Sequence, residues 1–200
     1  MTLAALFSKP AALPVVPKVV QQLIQSFQRD DVSIAQIAEQ LAADPVLSAK
    51  TLRLANSAYF HVSRHIGTVD DALRMLGFVM VRNLVVGCGV SGAFKGVQGI
   101  DLPRFWRHSA HTAAVARWLA PHAQLNGDKA FTIGLLQGVG QLVMHAADAA
   151  QVRPLDDACD PLSRERAALE RERLGYHHGE VGGELARRWN FPAAISDPMA

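Results

Sequence analysis

Apolar residues recur in this chain at helical spacing from end to end, and no window alternates apolar with polar residues as a half-buried strand requires. Val16, Val19, Val20, Leu23, Ile24 and Phe27 fall at i, i+3, i+4, i+7, i+8 and i+11, a single stripe on a helix that opens after Pro17. Ser33 with Gln36 reads as a capping box for a second helix carrying Ile34, Ile37, Ala38 and Leu41. Asp44-Pro45 starts a third that runs toward Asn56, and Thr68 with Asp71 caps a fourth that stops at Gly77. A fifth carries Val81, Leu84, Val85 and Cys88. The glycines from Gly87 to Gly99 then predict an end to regular structure and the boundary of a first lobe.

Beyond that boundary, Asp101 and Pro103 open a long helix through Phe105, Trp106, Ser109, Ala113 and Leu119. Asp128 opens another through Phe131, Leu136, Val139 and Val143, and a last helix with Val181, Leu185 and Trp189 ends before Pro192. The fold class that follows is all-α: a two-lobed helical bundle with lobes at 1–97 and 98–200. Trp106, Trp118 and Trp189 are expected in packing, with Trp106 and Trp189 largely buried. The run Arg164 to Arg173 alternates charge, and Arg166 with Glu170, four apart, predicts a solvated face laced by ion pairs.

Bulk properties exclude several classes of function. Two hundred residues can bury one core or two small ones. With 20 Lys+Arg against 18 Asp+Glu, the charge excess is too small for a nucleic-acid footprint. Cys88 and Cys159 stand in unrelated contexts, which suits a reducing cytoplasm rather than a disulfide framework. The N-terminus lacks a charged segment ahead of its apolar stretch and is broken by Pro10, Pro14 and Pro17, so it makes a poor signal peptide. No uninterrupted apolar run reaches about 18 residues, and no membrane span is expected.

Six of the eight histidines follow the glycine-rich boundary. His108 and His111 are three apart on one helical face and could both reach a metal, but two ligands fall short of the three or four that zinc takes. Gly134, Gly138 and Gly140 crowd one helical segment. A glycine costs a helix interior about 1 kcal/mol relative to alanine, so close packing, a kink or a ligand must offset them. A phosphate loop is dismissed, because neither its Lys-Ser/Thr end nor a preceding strand is present. Asn56, Ser57, Tyr59, His61, Arg64 and His65 form a polar loop that could receive an anion. The favoured alternative is a packed loop with Asn56 capping the helix before it. Arg82 and Asn83 could pair with Asp70 or Asp71.

The run LLQGVGQLV resembles the LLHDIGxLv motif of the HD superfamily, with Gln137 and Gly138 at the His-Asp positions. Other blocks resemble one branch, the HDOD domains. Leu13-Pro14 with Pro17 is similar to its opening LPxLP, and Asp44-Pro45-Val46-Leu47 with Leu52 to Tyr59 to its DPxLxxxLLRLANSAYY signature. Ile66 to Gly77 with Val81-Arg82-Asn83-Leu84, then Phe105 to Ser109, and finally His178 to Pro192 follow in the family's order. The resemblance runs from Leu13 to Ile195, after which the family usually adds another helix, so a truncated or short member is expected. It implies a degenerate, non-catalytic relative of the HD-GYP phosphodiesterases of cyclic di-GMP, acting as a bacterial signalling module on protein partners. Catalytic HD proteins hold metal through a first-helix His, the His-Asp pair and a later Asp. Carried onto this chain, His108 fits the first ligand, glutamine and glycine replace the pair, and Gln141 stands where the phosphodiesterases have lysine. No GYP is found. The expected degenerate pocket is His108, His111, Gln137, Gly138 and His178, with no catalytic residue, no metal and no cofactor. A small nucleotide ligand without turnover, or a metal-dependent phosphohydrolase, are the alternatives.

Overall fold

The computed structural model of the chain describes residues 2–9, 14–26, 34–57 and 64–200, and no strand occurs among them. Contacts divide the chain into two compact units: Val16–Ala93, and Met1–Val15 together with Phe94–Ala200. The first fifteen residues therefore group with the C-terminal unit and not with the expected 1–97 lobe. Phe27, Ser33, Tyr59 and His61, named above, lie outside the described residues.

In the first unit, α2 (Lys18–Gln25), α3 (Ile34–Ala42), α4 (Pro45–Ala55), α5 (Val69–Leu76) and α6 (Phe78–Ala93) pack on one another. Val20, Leu23, Ile24, Leu41, Ala55 and Ala72 are fully buried. The caps read from sequence at Asp44 and Thr68 form as expected. Asp44 Oδ1 accepts from the Val46 and Leu47 amides, and Thr68 Oγ1 accepts from the Asp71 amide at 3.0 Å. Asn56 donates to the carbonyls of Leu52 and Ile66 and accepts from the Ile66 amide at 2.7 Å, pinning both ends of the polar loop. Arg82 reaches the Ser26 carbonyl, while Asp70 and Asp71 pair with Arg74 and Arg64. The two aspartates thus have arginine partners of their own, Arg74 and Arg64.

The glycines after Gly87 do not end α6, which runs on to Ala93. A side chain at Gly89 would stand 2.4 Å from Val20 Cγ2. Gly89 lets α6 lie close against α2, and that packing offsets its low helix propensity.

The second unit holds α1 (Leu3–Phe7), α7 (Leu102–Leu119), α8 (Gly127–Leu136), α9 (Val139–Ala158), α10 (Arg166–Leu174), α11 (His178–Arg188) and α12 (Ala193–Ser196). Asp101 caps α7 through the Arg104 amide. Asn126, not Asp128, caps α8, accepting from the Asp128 and Lys129 amides. The helix expected from Asp128 through Val143 breaks at Gln137-Gly138. Within α9, Asp148 leaves helical geometry and its carboxylate accepts from the Gln151 amide, so the helix restarts there on a new cap. The segment Gly127–Ala158 contains an 18-residue window apolar enough to cross a membrane, and 67% of that window is buried within the protein. Helix packing accounts for its apolarity. Trp106 and Trp189, expected inside, are only half-buried, and Trp118 is 68% exposed.

Candidate functional site

Four helices of the second unit, α7, α8, α9 and α11, meet around the break between α8 and α9. Glycine is what permits the approach at each contact. A side chain at Gly134 would lie 2.9 Å from the Ala113 Cα of α7. One at Gly140 would lie 1.8 Å from the His178 carbonyl oxygen of α11. Between them, a Cβ at Gly138 would sit 3.1 and 3.2 Å from Cε2 and Cζ of Phe105. That phenyl ring is buried and stands edge-on to Trp106, with centroids 5.1 Å apart. A side chain at position 138 would therefore meet the edge of that ring, which must give by a few tenths of an ångström to admit it.

His108 lies one turn beyond Phe105 on α7 and is half-buried, while His111 is exposed. Gln137 closes α8 and is half-buried. His178 opens α11, and its Nδ1 bonds Glu170 Oε2 at 2.6 Å. Gly138 thus lies against α7 and Gly140 against α11, whereas His111 turns outward. Among the described residues, no three His, Cys, Asp or Glu side chains gather so as to hold a metal. The donor set does not fit the metal that HD proteins bind: one position has no side chain, and another offers a neutral amide.

Beside this junction runs a buried polar network that the sequence did not reveal. Arg166 and Glu170 are fully buried, not solvated. Arg166 donates to Glu170 Oε1 at 2.8 Å, to Asp156 Oδ1 at 2.7 Å and to the Cys159 carbonyl at 2.8 Å. Glu170 Oε2 accepts from both the backbone and the ring of His178. Asp156 Oδ2 meets His145 Nε2 at 2.9 Å, and His145 Nδ1 faces the Gln141 carbonyl at 2.7 Å. Burial alone would push the Glu170 carboxyl up. The hydrogen bond and charge of His178, together with Arg166, outweigh it and hold the carboxyl below its ordinary value. Helix α10 is poor in apolar residues, so these bonds are what fasten it to α9 and α11. Only the i,i+4 spacing of Arg166 and Glu170 hinted at this. Facing the pair are Asp156 and His178, which lie on the flanking helices, beyond the reach of an i,i+4 pattern.

The chain matches the HDOD domain family over residues 13–200. A Shewanella amazonensis protein described as a "Putative phosphohydrolase" is 35% identical, with TM-score 0.83, over 98% of this chain and 70% of that one. An HDOD domain protein of unknown function from Geobacter sulfurreducens is 30% identical, with TM-score 0.77, over 94% of this chain and 63% of that one. A curated relative from Treponema pallidum, named only "Uncharacterized protein", is 23% identical over 188 residues, and the chain spans 36% of its length. Since the family match takes in both units and the α8–α9 junction, the chain belongs to the HDOD domain family.

Proposed function

We propose that this chain is a non-catalytic signalling module of bacterial origin that acts through contact with protein partners. The observation that carries this is Phe105 packed against Gly138, where a catalytic HD protein would extend its aspartate. Hydrolysis of a phosphodiester at neutral pH needs an activated water, which HD proteins obtain from a metal that lowers its pKa. His108 alone cannot hold that metal, Gln137 brings no charge, and His178 is already engaged by Glu170.

A second reading, a metal-dependent phosphohydrolase of cyclic di-GMP or another nucleotide, is favoured by the name of the Shewanella protein. Binding of such a nucleotide without turnover would be its residue in a degenerate pocket. Metal content separates these readings. Elemental analysis of protein purified without chelator is expected to find no stoichiometric transition metal. About one metal per chain, lost on His108→Ala, would establish the phosphohydrolase reading instead.

A further inference from the structure

We propose that the outward face of α7 docks an amphipathic α-helix of a partner protein, apolar along its seam and acidic where it meets Arg107. This names the partner chemistry for the module described above and rests on that reading. Seven large hydrophobic side chains are exposed among the described residues, and four of them, Val115, Trp118, Leu119 and Leu125, fall at one helix end and the turn after it. Scattered exposed apolar residues need no explanation, but a cluster around a tryptophan marks an interaction surface. The opposite face of α7 is spent: Phe105, Ser109 and Ala113 are buried, and the helix packs on α8.

Spacing defines the shape of the occupant. His111, Val115, Trp118 and His122 follow one another at intervals of four, three and four. The first three form the seam by which two helices pack side by side, and His122 follows in the 3-10 turn 120–123. Trp118 is held edge-on to His122, with ring centroids 5.6 Å apart, so the anchor is positioned before anything docks.

Charge defines its chemistry. Helix α7 carries Arg104, Arg107 and Arg117 and no carboxylate. Asp160 pairs with Arg104 and Asp128 with Arg117, whereas Arg107 is exposed with no ion pair among the described residues. An acidic helix complements it, with tryptophan and arginine as the dominant contacts.

The test uses the intact protein and a labelled three-heptad helical peptide with leucine at the seam and glutamate flanking it, read by fluorescence anisotropy. A matched peptide carries lysine for glutamate. The glutamate peptide should bind at micromolar concentration, and Trp118→Ala should weaken it by about tenfold or more. Arg107→Glu should reverse the preference between the peptides. Both side chains are exposed, so thermal unfolding should stay unchanged in each variant. Equal binding by the native chain and Trp118→Ala would overturn the proposal. So would a dimer dissolved by Trp118→Ala, or phosphatidylglycerol vesicles captured through Trp118 in place of the peptide. Phosphodiester turnover would sink the module reading without touching peptide binding, so the two failures are distinguishable.

Discussion

Gly140 and Gly182 occupy the same helix–helix contact, yet they should respond to alanine in opposite ways. At Gly140 the new methyl would lie 1.8 Å from a backbone oxygen, so α9 and α11 must separate. Overpacking of this kind costs about 1–3 kcal/mol or more. At Gly182 the nearest atoms are 3.5 and 3.6 Å away, ordinary contact distances, and alanine is the better helix former by about 1 kcal/mol. Gly140→Ala should therefore lower the denaturant midpoint, and Gly182→Ala should leave it unchanged or raise it. Equal losses would mean that the helices are not this close. Arg166 offers a second test. Arg166→Met strands Glu170 and Asp156 without their shared cation, and breaking a buried pair costs about 3–5 kcal/mol. Urea unfolding that moved by less than about 1 kcal/mol would show Arg166 reaching water, since exposed pairs are worth no more than that. The sequence marked Arg166 and Glu170 as partners but placed them outside. Burial of a charge depends on acceptors from other helices, and no local pattern reports those.

At the scale of the element, α11 is capped by a histidine. His177 Nδ1 accepts from the Gly179 amide at 3.0 Å, and Glu180 accepts from the His177 amide at 2.9 Å. Burial, helped by the charges of Arg171 and His178 and opposed by Glu180, pushes the His177 imidazole below its ordinary value. Protonation also removes the acceptor that makes the cap. The folded pKa lies below the unfolded one, so this stabilisation is present above about pH 6.5 and is lost as pH falls through the folded value. Between pH 7.5 and 5.5, His177→Asn, which caps without titrating, should lose less thermal stability than the native chain. An identical slope in both would show that the cap does not titrate. Caps at Asp44, Thr68 and Asp101 were legible because donor and acceptor lie within three residues. The continuation of α6 through its glycines and the break at Gly138 were not, because the residues packed against Gly89 and Gly138, Val20 and Phe105, come from distant segments.

Across the whole molecule, the helical class and the family were readable from periodicity and from motifs spread over nearly the full chain. The candidate site was readable only as an absence, glutamine and glycine in place of histidine and aspartate. The structure adds what stands there instead: a phenyl ring over Gly138, and a carboxylate, Glu170, engaging His178. On this account, restoring Gln137→His and Gly138→Asp is not enough to rebuild a centre, because the new aspartate must displace the Phe105 ring and His178 is already engaged by Glu170. Hydrolysis of cyclic di-GMP by the native chain, assayed with manganese, magnesium, iron or zinc, tests the central claim most directly. The account predicts no turnover with any of the four. Turnover by the native chain that His108→Ala abolishes would contradict it.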